Sequence, residues 1–105
     1  MHQLIDVCPL ADLQPGAMRL LETADIDILV ANCAGTLLAI ENRCSHDDGP
    51  LDQGTLDAED CTVECPRHGS LFDLRTGTPL TLPAYLPVDT FPVVVTDGVI
   101  HVDVD

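Results

Sequence analysis

Phe91-Pro-Val-Val-Val-Thr96 and Val99-Ile-His-Val-Asp103 flank Asp97-Gly98. Two runs rich in β-branched residues, joined by a dipeptide that accepts the positive φ of a primed turn, read as a β-hairpin. Just upstream, Pro79, Pro83, Pro87 and Pro92 interrupt any helix. The earlier chain follows the same pattern. Gln3–Pro9 is a short extended piece, Pro15-Gly16 turns into a strand over Ala17–Thr23, and Ile26–Cys33 and Thr36–Glu41 flank a tight Ala34-Gly35 connection. Cys61–Glu64 and Ser70–Asp73 are apolar runs too short for helices. The expectation is an all-β domain of many short strands, a sandwich or a small barrel.

The 105 residues carry 18 acidic against 4 basic side chains, a formal net charge of -14, with 46% apolar residues and 5 cysteines. A chain of this length buries enough surface for one core, so 1–105 is read as a single domain. Only Arg19, Arg43, Arg67 and Arg75 offset the acids, which argues against nucleic acid and for a basic protein partner, against a plainer reading as general solubility. No apolar run approaches the ~20 residues of a membrane span, and Met1–Leu10 lacks a basic head. The chain is therefore expected to be cytoplasmic and unprocessed. An odd cysteine count without a secretory signal points away from a disulfide framework and towards metal or reactive chemistry.

Between Glu41 and about Pro83 the chain becomes loop-rich and then rejoins recognisable strands, as expected of a functional excursion on a rigid β base. It holds two clusters, Cys44-Ser45-His46 and Cys65-Pro66-Arg67-His68, separated by 18 residues. Each offers one soft thiolate and one imidazole, a donor set that suits tetrahedral zinc or a two-iron cluster. Zinc fingers usually pair Cys with Cys and His with His, and a helix follows; here each pair is mixed and no helix is expected. A two-iron centre with two Cys on one iron and two His on the other calls for mixed pairs.

Cys44-Ser-His-Asp-Asp-Gly-Pro-Leu-Asp-Gln-Gly54, Cys65-Pro-Arg-His-Gly-Ser-Leu-Phe-Asp-Leu-Arg-Thr-Gly77 and the following Pro79–Pro83 make the chain resemble, over nearly its whole length, the Rieske ferredoxins of bacterial non-haem iron oxygenase systems. The resemblance implies a Rieske-like fold: an antiparallel β-sandwich base with an inserted cluster-binding subdomain at about 42–83. It implies one [2Fe–2S] cluster on Cys44, His46, Cys65 and His68, with the two histidines near the surface. Two ferric ions, two sulfides, two thiolates and two neutral imidazoles sum to about zero charge, so an added electron is more easily accepted than by an all-thiolate cluster.

High-potential members add a Cys to each ligand loop, and these brace the loops as a disulfide; the corresponding positions resemble Gly49 and Arg67 here. They also carry a Ser and a Tyr after the second loop, where this chain has Ser70 but Phe72. With Asp47 and Asp48 beside His46, the expected potential is at the low end of the Rieske range of roughly -150 to +300 mV, though Ser70 could lift it somewhat. Gly49, Gly54, Gly69 and Gly77 are read as loop-forming positions, and Pro66 and Pro79–Pro83 as stiffening and covering the pocket.

Cys8, Cys33 and Cys61 lie in apolar strand contexts and are read as small hydrophobes, while His2 and His101 are read as structural or solvated. No nucleophile triad, phosphate loop or dinucleotide fingerprint is present. The expected protein is thus not an enzyme but a one-electron carrier between a ferredoxin reductase and a terminal oxygenase, docking through an acidic, histidine-bearing tip. Eight of the 18 acids lie between Glu41 and Glu64. The competing readings are a redox-sensing or assembly-associated module bound to an enzyme such as nitrite reductase, and a structural zinc domain.

Overall fold

The computed structural model describes residues 3–45, 49–67 and 69–104. Ten strands follow in order: β1 (Leu4–Pro9), β2 (Met18–Glu22), β3 (Asp27–Cys33), β4 (Thr36–Glu41), β5 (Thr55–Asp57), β6 (Thr62–Glu64), β7 (Leu71–Asp73), β8 (Thr90–Phe91), β9 (Val93–Thr96) and β10 (Val99–Asp103). Two short 3-10 turns, Leu10–Asp12 and Leu51–Gln53, complete the regular structure among the described residues. The strands form three sheets, β1-β10-β9, β2-β3-β4-β8 and β5-β6-β7, with every pairing antiparallel.

Both tight hairpins have the backbone their sequences call for. Ala34 and Gly35 have φ of 54° and 102°, and Asp97 and Gly98 have 53° and 76°. Two successive positive φ values match the right-handed twist of the flanking strands.

β3 organises the packing, because six of its seven residues are buried. Successive side chains of a strand point to opposite faces. Ile28 and Val30 accordingly join Cys8, Leu13, Ala39, Ile100 and Val102 in the core between the first two sheets. Leu29, Ala31 and Cys33 join Ile40, Leu51, Val63, Phe72 and Leu74 in the core beneath the third sheet. Each large side chain buried in this way contributes about 1.5–3 kcal/mol before entropy is set against it. The first two sheets form the sandwich base, and the third is laid on its outer face.

The expected single strand Phe91–Thr96 is two strands. Proline has no N–H to offer a ladder, so pairing is interrupted at Pro92. On one side β8 pairs with β4, Ala39 facing Phe91; on the other β9 pairs with β10, Val102 facing Val93. The chain thus changes sheets at Pro92, whose carbonyl accepts from the Asp103 N–H at 2.9 Å. β5 was not anticipated, since three residues are too few to show a period.

Everything from Asn42 to Asp89 leaves the second sheet at the end of β4 and returns to it at the adjacent strand β8. Its return is pinned at Gly77, which has φ of +74° and lies so close to the Val88 carbonyl that a Cβ would collide with it. Gly77 N–H in turn donates to Asp73, and Val88 N–H donates to the Gly77 carbonyl.

Leu29→Ala should lower stability by about 2–5 kcal/mol in chemical denaturation, because it empties space between the base and the third sheet. A loss below ~1 kcal/mol would show that this contact does not hold the two together.

Candidate metal centre

The two clusters singled out in the sequence occupy loops of matching construction. The first follows β4 and the second joins β6 to β7. In the first, the Cys44 N–H donates to the Gly49 carbonyl at 2.8 Å; in the second, the Cys65 N–H donates to the Ser70 carbonyl at 2.8 Å. Each loop therefore closes on the residue five positions after its cysteine, and each presents its thiol inward. Cys44 and Cys65 are both 0% exposed and stand outside the disulfide described below. They belong to the same buried cluster as Phe72, Leu51 and Ala84. His46, Asp47, Asp48 and His68 lie outside the described residues.

Neighbouring groups secure the first loop at its root. Asn42, 8% exposed, donates from Nδ2 to Asp52 Oδ1 at 2.8 Å, and its Oδ1 accepts from the Asp52 N–H at 2.7 Å. This reciprocal pair ties the strand end to the 3-10 turn beyond the loop. Asn42 N–H also donates to the Asp27 carbonyl at 2.8 Å, and Arg43 Nε reaches Glu41 Oε2 at 3.0 Å.

The proline-rich segment is hydrogen-bonded to both loops. The Ala84 N–H donates to Ser70 Oγ at 3.1 Å, and Ser45 Oγ donates to the Leu86 carbonyl at 2.5 Å. Leu80 N–H donates to the Leu71 carbonyl at 2.6 Å, and Leu71 N–H to Thr81 Oγ1 at 2.9 Å. None of these contacts was legible in the sequence, where the segment showed only its prolines. While Ala84 is buried, Leu80, Leu82, Tyr85 and Leu86 are exposed, Leu82 to 79% and Tyr85 to 73%. The segment therefore covers the loops on one side and shows water an apolar rim on the other.

Ser70 is wholly buried, and its Oγ accepts from Ala84 while its own O–H proton remains available to donate. Phe72, equally buried, has no hydroxyl to give. Gly54 sits where a Cβ would collide with the Glu64 carbonyl, so the turn after the first loop packs directly on the strand that leads into the second.

The reading of Cys33 and Cys61 as unpaired small hydrophobes is corrected. They form a disulfide across 28 residues with a Cα–Cα separation of 5.5 Å, within the range a disulfide spans. The sequence hid it because the bond joins the end of β3 to the turn before β6, a contact only the tertiary structure makes. Cys8 remains buried and unbonded, as expected. His101, on β10, faces Asp6 of β1 with Nδ1 2.8 Å from Oδ1, on the sheet farthest in the layer order from the ligand loops. His2 lies outside the described residues.

Two buried thiols in one cluster, each at the head of a loop closed on itself, suit a group that takes soft anionic sulfur ligands on its inner side. An all-β fold with paired loops of this kind defines a Rieske-type protein. The family model of the Rieske [2Fe-2S] domain matches residues 3–92, and the chain belongs to that family. It is 41% identical over 99 residues to the 3-phenylpropionate/cinnamic acid dioxygenase ferredoxin subunit of Shigella flexneri, covering 94% of this chain and 92% of that one. Among solved structures it is similar to the ferredoxin of carbazole 1,9a-dioxygenase from Nocardioides aromaticivorans IC177, with a TM-score of 0.90, 37% identity and coverage of 95% and 96%. It is also similar to a ferredoxin chain in a complex of reduced oxygenase and oxidized ferredoxin of carbazole 1,9a-dioxygenase, with a TM-score of 0.90, 33% identity and coverage of 95% and 92%.

Asn42→Ala should cost about 1–3 kcal/mol in thermal or chemical unfolding, since it leaves the Asp52 amide and carboxylate without their partners. An unchanged unfolding curve would show that the reciprocal pair contributes nothing.

Proposed function

We propose that this chain is the ferredoxin of an oxygenase system, a one-electron carrier in which the segment of about 42–83 holds one Rieske-type [2Fe–2S] cluster. Cys44 and Cys65 would ligate one iron, and His46 and His68 the other. The observation that carries this reading is the pair of equal loops, each closed by the same N–H to carbonyl bond and each burying one thiol. When bound, such a cluster supplies a reversible one-electron acceptor. The chain's own contribution is to exclude water, hold the thiols in place and tune the site. Phe72, Leu51 and Leu74 supply the dry floor, and the Ser70 hydroxyl is the one buried side-chain O–H of the second loop.

The electron donor would be a ferredoxin reductase and the acceptor a terminal oxygenase, a pairing supported by the names of the relatives. The acidic tip carries the docking. Eight of the 18 acids fall between Glu41 and Glu64 in the sequence, and Leu80, Leu82, Tyr85 and Leu86 form an exposed apolar rim. A partner surface with a basic border around an apolar centre would complement both, the charge steering the encounter and the apolar contact excluding water. Among the described residues no helix is long and apolar enough to cross a membrane. We place the carrier in the cytoplasm, where such a reductase and oxygenase would meet it.

Protein purified without air should contain iron and acid-labile sulfide in equal amounts, give the electron paramagnetic resonance of a reduced mixed-ligand cluster, and show a midpoint below zero. Zinc, or the lack of inorganic sulfide, would overturn the ligand assignment. A midpoint well above zero would overturn the expected tuning by Gly49, Arg67 and Phe72. The rate of electron transfer to a partner should fall as salt rises, because the Debye length shrinks from about 30 Å at 0.01 M to about 10 Å at 0.1 M. A rate independent of ionic strength would rule out steering by the acidic tip.

A further inference from the structure

Cys61 occupies a costly position. Its φ is +56°, in the left-handed region, where the closing residue of a short hairpin connection is ordinarily Gly or Asn. The turn itself is already well made without it, since Asp57 Oδ1 accepts from the Glu59 N–H at 3.0 Å and the Asp60 N–H at 3.2 Å. Turn formation therefore does not explain the cysteine. Its side chain does, being bonded to Cys33 on the strand whose two faces hold the molecule together.

The bond joins the base to the ligand-bearing sheet. The loop it closes, from 33 to 61, contains Cys44 and the whole first ligand loop. On its far side Cys61 leads straight into β6, which ends at Glu64, the residue before Cys65. The crosslink thus restrains the approach to both proposed thiolate ligands. Cys33 and Cys61 are 4% and 0% exposed, so an exchanging thiol reaches them only when the two sheets part locally.

We infer that Cys33 and Cys61 form a redox-responsive latch. In the oxidised form the disulfide fastens the ligand-bearing sheet to the base; in the reduced form two thiols leave that sheet without its crosslink to the base, and the bound group is lost faster. Oxidation consumes one disulfide of a small-molecule or dithiol-protein class: two protein S–H bonds and one external S–S bond break, one protein S–S bond forms, and both protons leave on the two released external thiols. Reduction by a dithiol is the reverse. The latch acts through restraint of the two sheets. Its effect on the bound group rests on the ligand assignment proposed above, whereas the crosslink itself does not.

The test uses the full chain in its holo form. Alkylation with iodoacetamide under denaturing conditions without reductant, followed by peptide mass mapping, should recover Cys33 and Cys61 as a linked pair. After dithiothreitol both should be alkylated, the unfolding midpoint should fall by roughly 10 °C or more, and visible absorbance should decay severalfold faster. Cys33→Ala and Cys61→Ala each remove one thiol, and the latch predicts that both variants lose all dependence on dithiothreitol, whereas packing without a bond predicts that the unsubstituted protein has no such dependence to lose. Alkylation of both cysteines even after treatment with oxidised glutathione, or a midpoint of the unsubstituted protein unmoved by dithiothreitol, would overturn the proposal. Linkage and midpoint are read on the polypeptide, so they decide the latch whether or not iron and sulfide are found.

Discussion

β3 has water on neither face. Ile28 and Val30 enter the sandwich core, while Leu29, Ala31 and Cys33 enter the core under the ligand-bearing sheet. Two cores that would otherwise be independent therefore share one strand, and the third sheet is positioned by the same residues that hold the base. Three three-residue strands could not bury enough surface to stand alone, since a small isolated sheet is marginal in water. They are ordered because β3 and β4 give them a floor.

On that floor the ligand loops are fixed by backbone bonds before any cofactor is considered. The equal closures at Cys44 and Cys65 fix the backbone at two buried thiols, and the Asn42–Asp52 pair holds the first loop at its root. The proline-rich segment then bonds to a residue of each loop, Ser45 and Ser70. Such restraint suits electron transfer, in which a site that changes little between its two states needs little reorganisation. It also explains why the exposed leucines and Tyr85 stand beside the loops: the segment that shields the site on one face has its other face free for a partner.

The strands were largely legible. Alternation and primed-turn dipeptides located eight of the elements closely, because strand period and turn chemistry are local properties. The boundaries failed where local pattern and pairing disagree, as at Pro92, where one apolar run serves two sheets. β5 was missed because Thr55-Leu56-Asp57 is shorter than the pattern that would reveal it. For the candidate site, the four ligand positions are readings of residue type and spacing; the tertiary structure adds that Cys44 and Cys65 lie in one buried cluster.

Taken alone, the sequence determined the all-β class, the paired Cys–His loops and the acidic character, since these depend on residue type and on separations of a few positions. Tertiary structure alone decided which strands share a sheet, that Ser70 and Ser45 anchor the covering segment, and that Cys33 bonds Cys61 and not another of the five cysteines. Those outcomes depend on which distant segments meet, and that is set by how the two faces of β3 are filled.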